Sequence, residues 1–330
     1  MIAVERGDLI SRGWNDYVDE HSEGWWFHRS EWLDYCLAYD DGSIDRSFAL
    51  VHDGEVSGIC PAILSSGGCI KTGDDPCPGP LTDDVPSLIK FVSEKLSGIP
   101  KCWRWNRGSK SSRVVDGFLR SGYSRLGWDT CIIDLRNKAV SDLWKDIRKS
   151  YRVVIRRGER DYVIKSNRNI WTMDSKLWES YEQCHRTFGS RDRSNLTYSY
   201  QKDWVDTGVG YIVAGYSKEG SDKDRPSVVA SPVVRSADGS SPSSLASPIC
   251  SGASLSFNYK NYAYYASGPS LVRDLQHCLQ WKALIGLRSL GVDFYEMGWV
   301  NHAPNQKGIE FFKRGFGGSL RRVDVVESHT

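Results

Sequence analysis

The sequence predicts an α/β (α+β) protein made of two related halves, for three reasons. β-prone runs alternate with helix-patterned stretches along the chain, which excludes an all-helical fold. At 330 residues the chain exceeds one typical domain. A short motif also occurs twice: Phe118-Leu-Arg-Ser-Gly-Tyr123 and Phe311-Phe-Lys-Arg-Gly-Phe316 share the order aromatic, apolar, basic, any, glycine, aromatic. Each copy leads into a β-rich run, Thr130–Leu135 and Leu320–Val326, as a duplicated unit would. A helix stop of this form also arises by chance, so the motif alone leaves both readings open. The expected division is 1–138 and 139–330.

Hydrophobic residues make up 40% and charged residues 25%, the balance of an ordinary soluble globular protein rather than a disordered one. No run of about 18 apolar residues is present, so no membrane span is expected. The first residues lack a basic region followed by an apolar one, and a cytoplasmic location is the expectation. Nine scattered cysteines contain no Cys-x-x-Cys pair, so reduced thiols and no metal site are expected. The net charge of +2 hides an asymmetry: residues 1–55 carry 13 acidic and 4 basic side chains, residues 144–168 carry 9 basic and 3 acidic. A basic stripe on a near-neutral protein points to an anionic ligand at one place.

In the first half, Ser30 reads as the N-cap of a helix through Trp32, Leu33, Cys36 and Leu37. Ser47–Val51 and Val56–Leu64 flank Asp53-Gly54, a hairpin signal. The Gly-, Pro- and Asp-rich stretch from Ser65 to Pro86 reads as loop. A helix over about Val85–Leu96 and a strand at Trp103–Trp105 follow.

In the second half, Ser141 caps an expected single helix over 141–160, whose apolar stripe is Leu143, Ile147, Tyr151, Val154 and Ile155. Lys149, Arg152, Arg156 and Arg160 recur at helical spacing on another face, and either a solvated face or a phosphate-rich partner accounts for them. A helix over Ser175–Thr187 and strands at Val209–Tyr216 and Ser227–Val234 follow. Residues 236–256 hold nine serines and read as an exposed loop. Tyr259–Tyr265 is β-prone, and Gly268-Pro269 starts a helix that ends at Gly291, before a strand at Val292–Met297. Pro304 marks the start of a short helix that stops within Gly308–Gly318. Lys313 and Arg314 thus lie at a helix end beside bare glycine backbone, where a cation can meet an anion or a developing oxyanion.

Several of these segments resemble the FemABX family of peptidyltransferases. Leu143-Trp-Lys-Asp-Ile-Arg-Lys-Ser-Tyr-Arg-Val-Val-Ile-Arg-Arg157 is similar to the basic helix joining that family's halves. Phe294-Tyr-Glu-Met-Gly298 resembles its aromatic-acidic-apolar-glycine strand end. Phe311-Phe-Lys-Arg-Gly-Phe-Gly-Gly318 is close to its Phe-Lys-x-Gly-Phe-Gly signature. The resemblance covers most of the second half by motif and the first half by order of elements. It implies two tandem GNAT-like (acetyltransferase) halves, each a mixed twisted sheet flanked by helices, without the coiled-coil arm of some members. The serine-rich loop is then an insertion.

By the same resemblance the chain forms amide bonds. It is expected to move an amino acid from aminoacyl-tRNA, or an acyl group from acyl-CoA, to an amine on a small molecule or peptide. No metal or resident cofactor is implied. The resemblance gives Lys313 the oxyanion role, with a phosphate anchor or a helix-end cation as alternatives. Glu296 is a candidate base, or it caps a backbone N–H or pairs with Lys313. Donor contacts are expected from Arg148, Lys149, Arg152, Arg156, Phe312 and Arg314. Acceptor-side contacts are expected from Tyr265, Trp299, Asn301 and His302, with His302 also a possible second base. Arg314-Gly-Phe-Gly-Gly-Ser319 lacks the acetyl-CoA pyrophosphate loop of ordinary acetyltransferases, which favours aminoacyl-tRNA. A catalytically inert module that binds tRNA or nucleotide-linked ligands stays as the non-enzymatic alternative.

Overall fold

Strand and helix alternate throughout a computed structural model that describes residues 1–9, 11–72, 75–105, 109–167, 175–188, 193–218, 250–272, 274–300 and 307–328. The first part contains β1 (Ile2–Glu5), α1 (Ser11–Glu20), α2 (Ser30–Tyr39), β2 (Ile44–Asp45), β3 (Phe48–His52), β4 (Glu55–Cys60) and β5 (Ile63–Leu64). It continues with β6 (Cys77–Pro78), β7 (Leu81–Thr82), α3 (Val85–Lys95), β8 (Lys101–Trp105), α4 (Ser109–Arg120) and β9 (Ser124–Asp134). The second part begins with α5 (Val140–Asp146), α6 (Lys149–Asp161), β10 (Tyr162–Ser166), α7 (Ser175–Phe188), α8 (Asn195–Asp206) and β11 (Gly210–Ser217). It ends with β12 (Cys250–Tyr259), β13 (Tyr262–Ser267), α9 (Leu275–Ser289), β14 (Phe294–Val300), α10 (Lys307–Arg314) and β15 (Ser319–Ser328).

Nine strands form one sheet in the order β10-β11-β12-β13-β14-β9-β15-β8-β6, and β1-β3-β4-β7 form a second sheet. The order is set by β15, which returns from the end of the described chain to lie between β9 and β8. The two strands that follow the repeated motif are therefore hydrogen-bonded to each other. Phe118 and Phe311 are 193 residues apart, and so are Asp129 and Arg322, which face each other across the antiparallel β9–β15 ladder. Equivalent positions of the two motif copies thus meet about one point, the arrangement expected of a pseudo-twofold.

The two motif copies end their helices on different glycines. The motif's own Gly122 takes φ +90° after α4, whereas after α10 it is Gly317, two residues beyond the equivalent Gly315, that takes φ +83°, in the left-handed region that costs little only for glycine. One core packs Trp14, Phe27, Leu33, Phe48, Trp103 and Phe118 together with Trp204 and Ile212 of the second part. Another packs Ile133, Leu143, Ile155, Leu279, Tyr295 and Phe316 beneath α6 and α9. Among the described residues no helix is long and apolar enough to cross a membrane.

The structure corrects several readings of the sequence. The single helix over 141–160 is two helices, α5 and α6, separated at Ile147 and Arg148 in extended backbone (ψ 135° at both). Ile147 is buried, the backbone N–H of Arg148 donates to Gly315 O, and the Arg152 guanidinium donates to Ile147 O and Lys145 O. Those bonds satisfy carbonyls that a helix end leaves open. Ser30 does not cap α2 with its side chain; Asn15 Oδ1 on α1 accepts both the Ser30 N–H at 3.0 Å and its hydroxyl at 2.9 Å. Cys250–Ser256, read as the end of the serine-rich loop, is strand, while 219–249, including the run Ser227–Val234, lies outside the described residues. The helix expected from Pro269 starts at Leu275, because Ser270 Oγ bonds Val272 in a turn first. Pro304 lies outside the described residues, and α1 and α8 were not anticipated.

Gly315 marks the joint between α6 and α10. A Cβ built there would sit 2.0 Å from the Tyr151 ring, which is buried and fixed by its hydroxyl donating to Phe311 O at 3.0 Å. Gly315→Ala is expected to destabilise the protein by about 1–3 kcal/mol, the usual cost of overpacking. Urea unfolding at neutral pH measures it; an unchanged midpoint would contradict this packing.

Candidate active site

β13 and β14 run parallel only through Tyr262↔Phe294, Ala263↔Tyr295 and Tyr264↔Glu296. Beyond that point β13 continues to Ser267 and β14 to Val300 without pairing to each other. The β14–β9 register also shifts between Glu296 and Trp299, and Gly298 takes φ +77°. The sheet therefore opens beside Glu296.

Glu296 is 0% exposed. The Arg104 guanidinium and the Thr130 hydroxyl (2.6 Å) donate to Oε1, and the Tyr262 hydroxyl donates to Oε2 at 2.7 Å. Arg104 is itself only 7% exposed and lies over the Trp299 ring, 3.9 Å from its centroid. Burial opposes the arginine's charge, and Glu296 together with Tyr264, Tyr262 and Asp75 more than restores it, so its pKa is raised. Arg104 belongs to β8 and Glu296 to β14, with β9 and β15 between them in the sheet order, so their contact requires the sheet to curl.

Lys313 sits in the last turn of α10, partly buried, with its ammonium donating to Trp299 O. Burial pushes its pKa down to about 8, partly offset by the charges of Cys131, Glu296 and Asp75, while Arg104 lowers it further. The ammonium is thus held against the opened strand end rather than in bulk solvent, and it stays mostly protonated at neutral pH.

A cavity of about 170 Å³ adjoins this cluster, with Trp25, Phe27, Trp32, Asp75, Arg193 and Tyr264 among its walls. A smaller one of about 70 Å³ is lined by His28, Trp105, Lys260 and Tyr262, and Trp25 and Arg104 line both. Burial lowers the His28 pKa to about 4, and its ring nitrogens are engaged by Gly79 O and the Trp25 N–H. That histidine is neutral and structural.

The expected site residues divide in two. Lys313, Glu296 and Trp299 come together. Glu296 is hydrogen-bonded to Arg104, Thr130 and Tyr262 rather than to Lys313, and both its oxygens hold donors. Tyr264, not Tyr265, lines the cavity; Tyr265 packs beside the second core, where burial raises its pKa. Asn301 and His302 lie outside the described residues.

The donor-side residues form a separate surface. Arg148 stacks on the exposed Phe311 ring at 3.4 Å, Arg156 lies 5.5 Å from the Trp144 ring centroid, and Lys149 is exposed. Arg152 is spent on the α5 carbonyls, Phe312 packs against His277 and Phe316, and Arg314 pairs with Glu310 at 3.1 Å. Sequence reading missed Arg104, Thr130, Tyr262, Asp75 and Arg193. Arg104 alone carried a signal: a charge between two tryptophans in a β-prone run, where alternation points one of the two residue types inward.

No protein-family model and no curated protein matches the chain. Solved structures do. FemX shares the fold across 98% of this chain and 97% of its own, at 14% identity and a TM-score of 0.60. L-PGS from Bacillus licheniformis covers 89% of this chain and 85% of its own, at 11% identity and a TM-score of 0.55. A tandem GNAT protein from the clavulanic acid biosynthesis pathway covers 99% and 97%, at 11% identity and a TM-score of 0.51. The likeness establishes the fold: a mixed α/β chain of the tandem GNAT type.

Removing one member of a buried ion pair strands the other and costs about 3–5 kcal/mol. Arg104→Met alone and Glu296→Met alone are each expected to fall in that range, and the double variant to cost clearly less than their sum. A double-mutant cycle by urea unfolding checks it; additive losses would mean that the two charges do not meet.

Proposed function

We propose that the chain is an amide-forming acyltransferase that takes an amino acid from aminoacyl-tRNA to an amine acceptor. The acceptor is a peptide, a peptidoglycan precursor or another small amine, and the setting is the cytoplasm. The carrying observation is the placement of Lys313: a partly buried ammonium at the point where β13 and β14 part. In this reading residues 1–138 and 139–330 are the two halves, and the cleft between them receives the acceptor.

The acceptor's neutral amine nitrogen attacks the ester carbonyl carbon of the donor. The carbonyl electrons move to oxygen, and the oxyanion faces the Lys313 ammonium. As the carbonyl re-forms, the C–O bond to the ribose breaks and the amine's proton passes to the departing hydroxyl. One amide and one free alcohol result. The Arg104–Glu296 cluster keeps β8 and β14 fixed around this step, and with both oxygens engaged Glu296 serves as a positioning residue.

The exposed cations of α6, with Arg148 stacked on Phe311, support an RNA-borne donor. An acyl-CoA donor is the second reading, favoured by the likeness to a tandem GNAT structure described as lacking AcCoA.

Incubation with a mixed pool of charged tRNAs and, separately, with acyl-CoAs and candidate amines tests the reaction. The expected product forms from the tRNA pool, disappears after RNase pretreatment, and falls about 10²-fold in Lys313→Ala, as for loss of one oxyanion donor. An RNase-insensitive, CoA-releasing reaction would replace the donor. Ligand binding with no transfer from either pool would leave a binding module.

A further inference from the structure

The cavity of about 170 Å³ between the Trp25–Tyr39 segment and β12–β13 carries polar groups that the transfer step does not use. Its body is aromatic: Trp25, Phe27, Trp32 and Tyr264. Gln201 on α8 lines it and is 2% exposed; its Nε2 donates to Tyr35 Oη at 3.4 Å, while its Oε1 is buried without a hydrogen-bond partner among the described residues. Buried polar atoms are nearly always satisfied, so an acceptor left open on a cavity wall points to an N–H or O–H donor from an occupant.

The charges on the walls specify more. Arg104 is matched by Glu296 beneath it. Arg193 is surrounded by Tyr35, Tyr39, Tyr181 and Tyr198, whose proximity favours its cationic form although burial opposes it. Asp75 is the one carboxylate among the cavity's described walls, and it is exposed. It shares the cavity wall with Arg104, the partner of Glu296, and with Tyr264, which pairs with Glu296 at the point where the strands part. A volume of about 170 Å³ lies below the ~300–1,000 Å³ of pockets that enclose drug-sized ligands, so a whole nucleotide-linked peptide is not enclosed here.

We propose that this cavity binds a small zwitterion with an aromatic or branched apolar body, its carboxylate on Arg193 and its ammonium shared between Gln201 and Asp75. The inference rests on the acyl-transfer reading only in naming this molecule the acceptor. Its amine then lies on the Lys313 side of the pocket, where the ester carbonyl arrives. Arg193 sets specificity by requiring a carboxylate, and the four aromatic walls set it by requiring an apolar body.

Isothermal titration of the full chain, without any donor, tests the site with three probes: phenylalanine, phenethylamine and 3-phenylpropionate. Phenylalanine is expected to bind, and each probe lacking one charge to bind at least about tenfold more weakly. Arg193→Met should make phenylalanine and phenethylamine equivalent, and Gln201→Leu should weaken phenylalanine severalfold. A thermal melt checks that both variants fold, and if either does not, the three-probe comparison on the unaltered chain decides alone. No heat with phenylalanine up to about 10 mM, or equal binding of all three probes, would overturn the site. Binding with this selectivity but no acyl transfer from either donor pool would keep the site and remove the acceptor role. Transfer to other amines with no binding here would remove the site and keep the reaction.

Discussion

The buried pair of Arg104 and Glu296 is the constraint around which the molecule is arranged. Two opposite charges withdrawn from water are worth little net stability by themselves, because desolvation consumes most of their attraction. Their value here is positional. Thr130 donates to the same oxygen as Arg104 and Tyr262 to the other, so four side chains from β8, β9, β13 and β14 are tied at one point. The tie forces curvature on the nine-stranded sheet and sets Trp299 beneath the guanidinium. It also fixes the strand end that carries the carbonyl holding Lys313. A polar knot that is fully satisfied specifies one arrangement, whereas a half-satisfied one would cost more than an apolar replacement.

That knot could form only because β15 returns to the first part of the chain. With β15 between β9 and β8, Arg104 and Glu296 belong to one sheet although 192 residues separate them. The near-symmetric β9–β15 ladder about Asp129 and Arg322 gives structural meaning to the repeated hexapeptide. The two copies have diverged in use. Lys313 is partly buried at the opened strands, while its counterpart Arg120 is exposed to solvent. Of the two, the second copy is the one that places its cation at the opened strands.

Much of this was legible in the sequence where local physics dominates. The Asp53-Gly54 hairpin, the helix over Val85–Lys95, the strands after each motif and the helix stop placing Lys313 all follow from periodicity and turn chemistry, which act over a few residues. The break between α5 and α6 was not legible, because the Arg148–Gly315 bond and the burial of Ile147 are long-range. The partner of Glu296 was hidden for the same reason. Composition identifies a buried acid as needing a cation, yet Lys313 was nearer in sequence and Arg104 nearer in space. Asp75, Arg193 and Gln201 left no local trace at all, since each comes from a loop or helix whose pattern serves the core.

The proposed acyl transfer turns on whether the ammonium of Lys313 faces the developing charge, and its depressed pKa makes that testable. The acceptor amine must be neutral, so the rate climbs with pH; the lysine must stay charged, so the rate falls once pH passes about 8. The decisive measurement is the single-turnover rate of transfer over about pH 6–10 for the unaltered chain and for Lys313→Arg, whose guanidinium stays protonated throughout. The account predicts a descending limb near pH 8 that disappears in the arginine variant. A rate that keeps rising past pH 9 in the unaltered chain, or the same descending limb in both proteins, would contradict it.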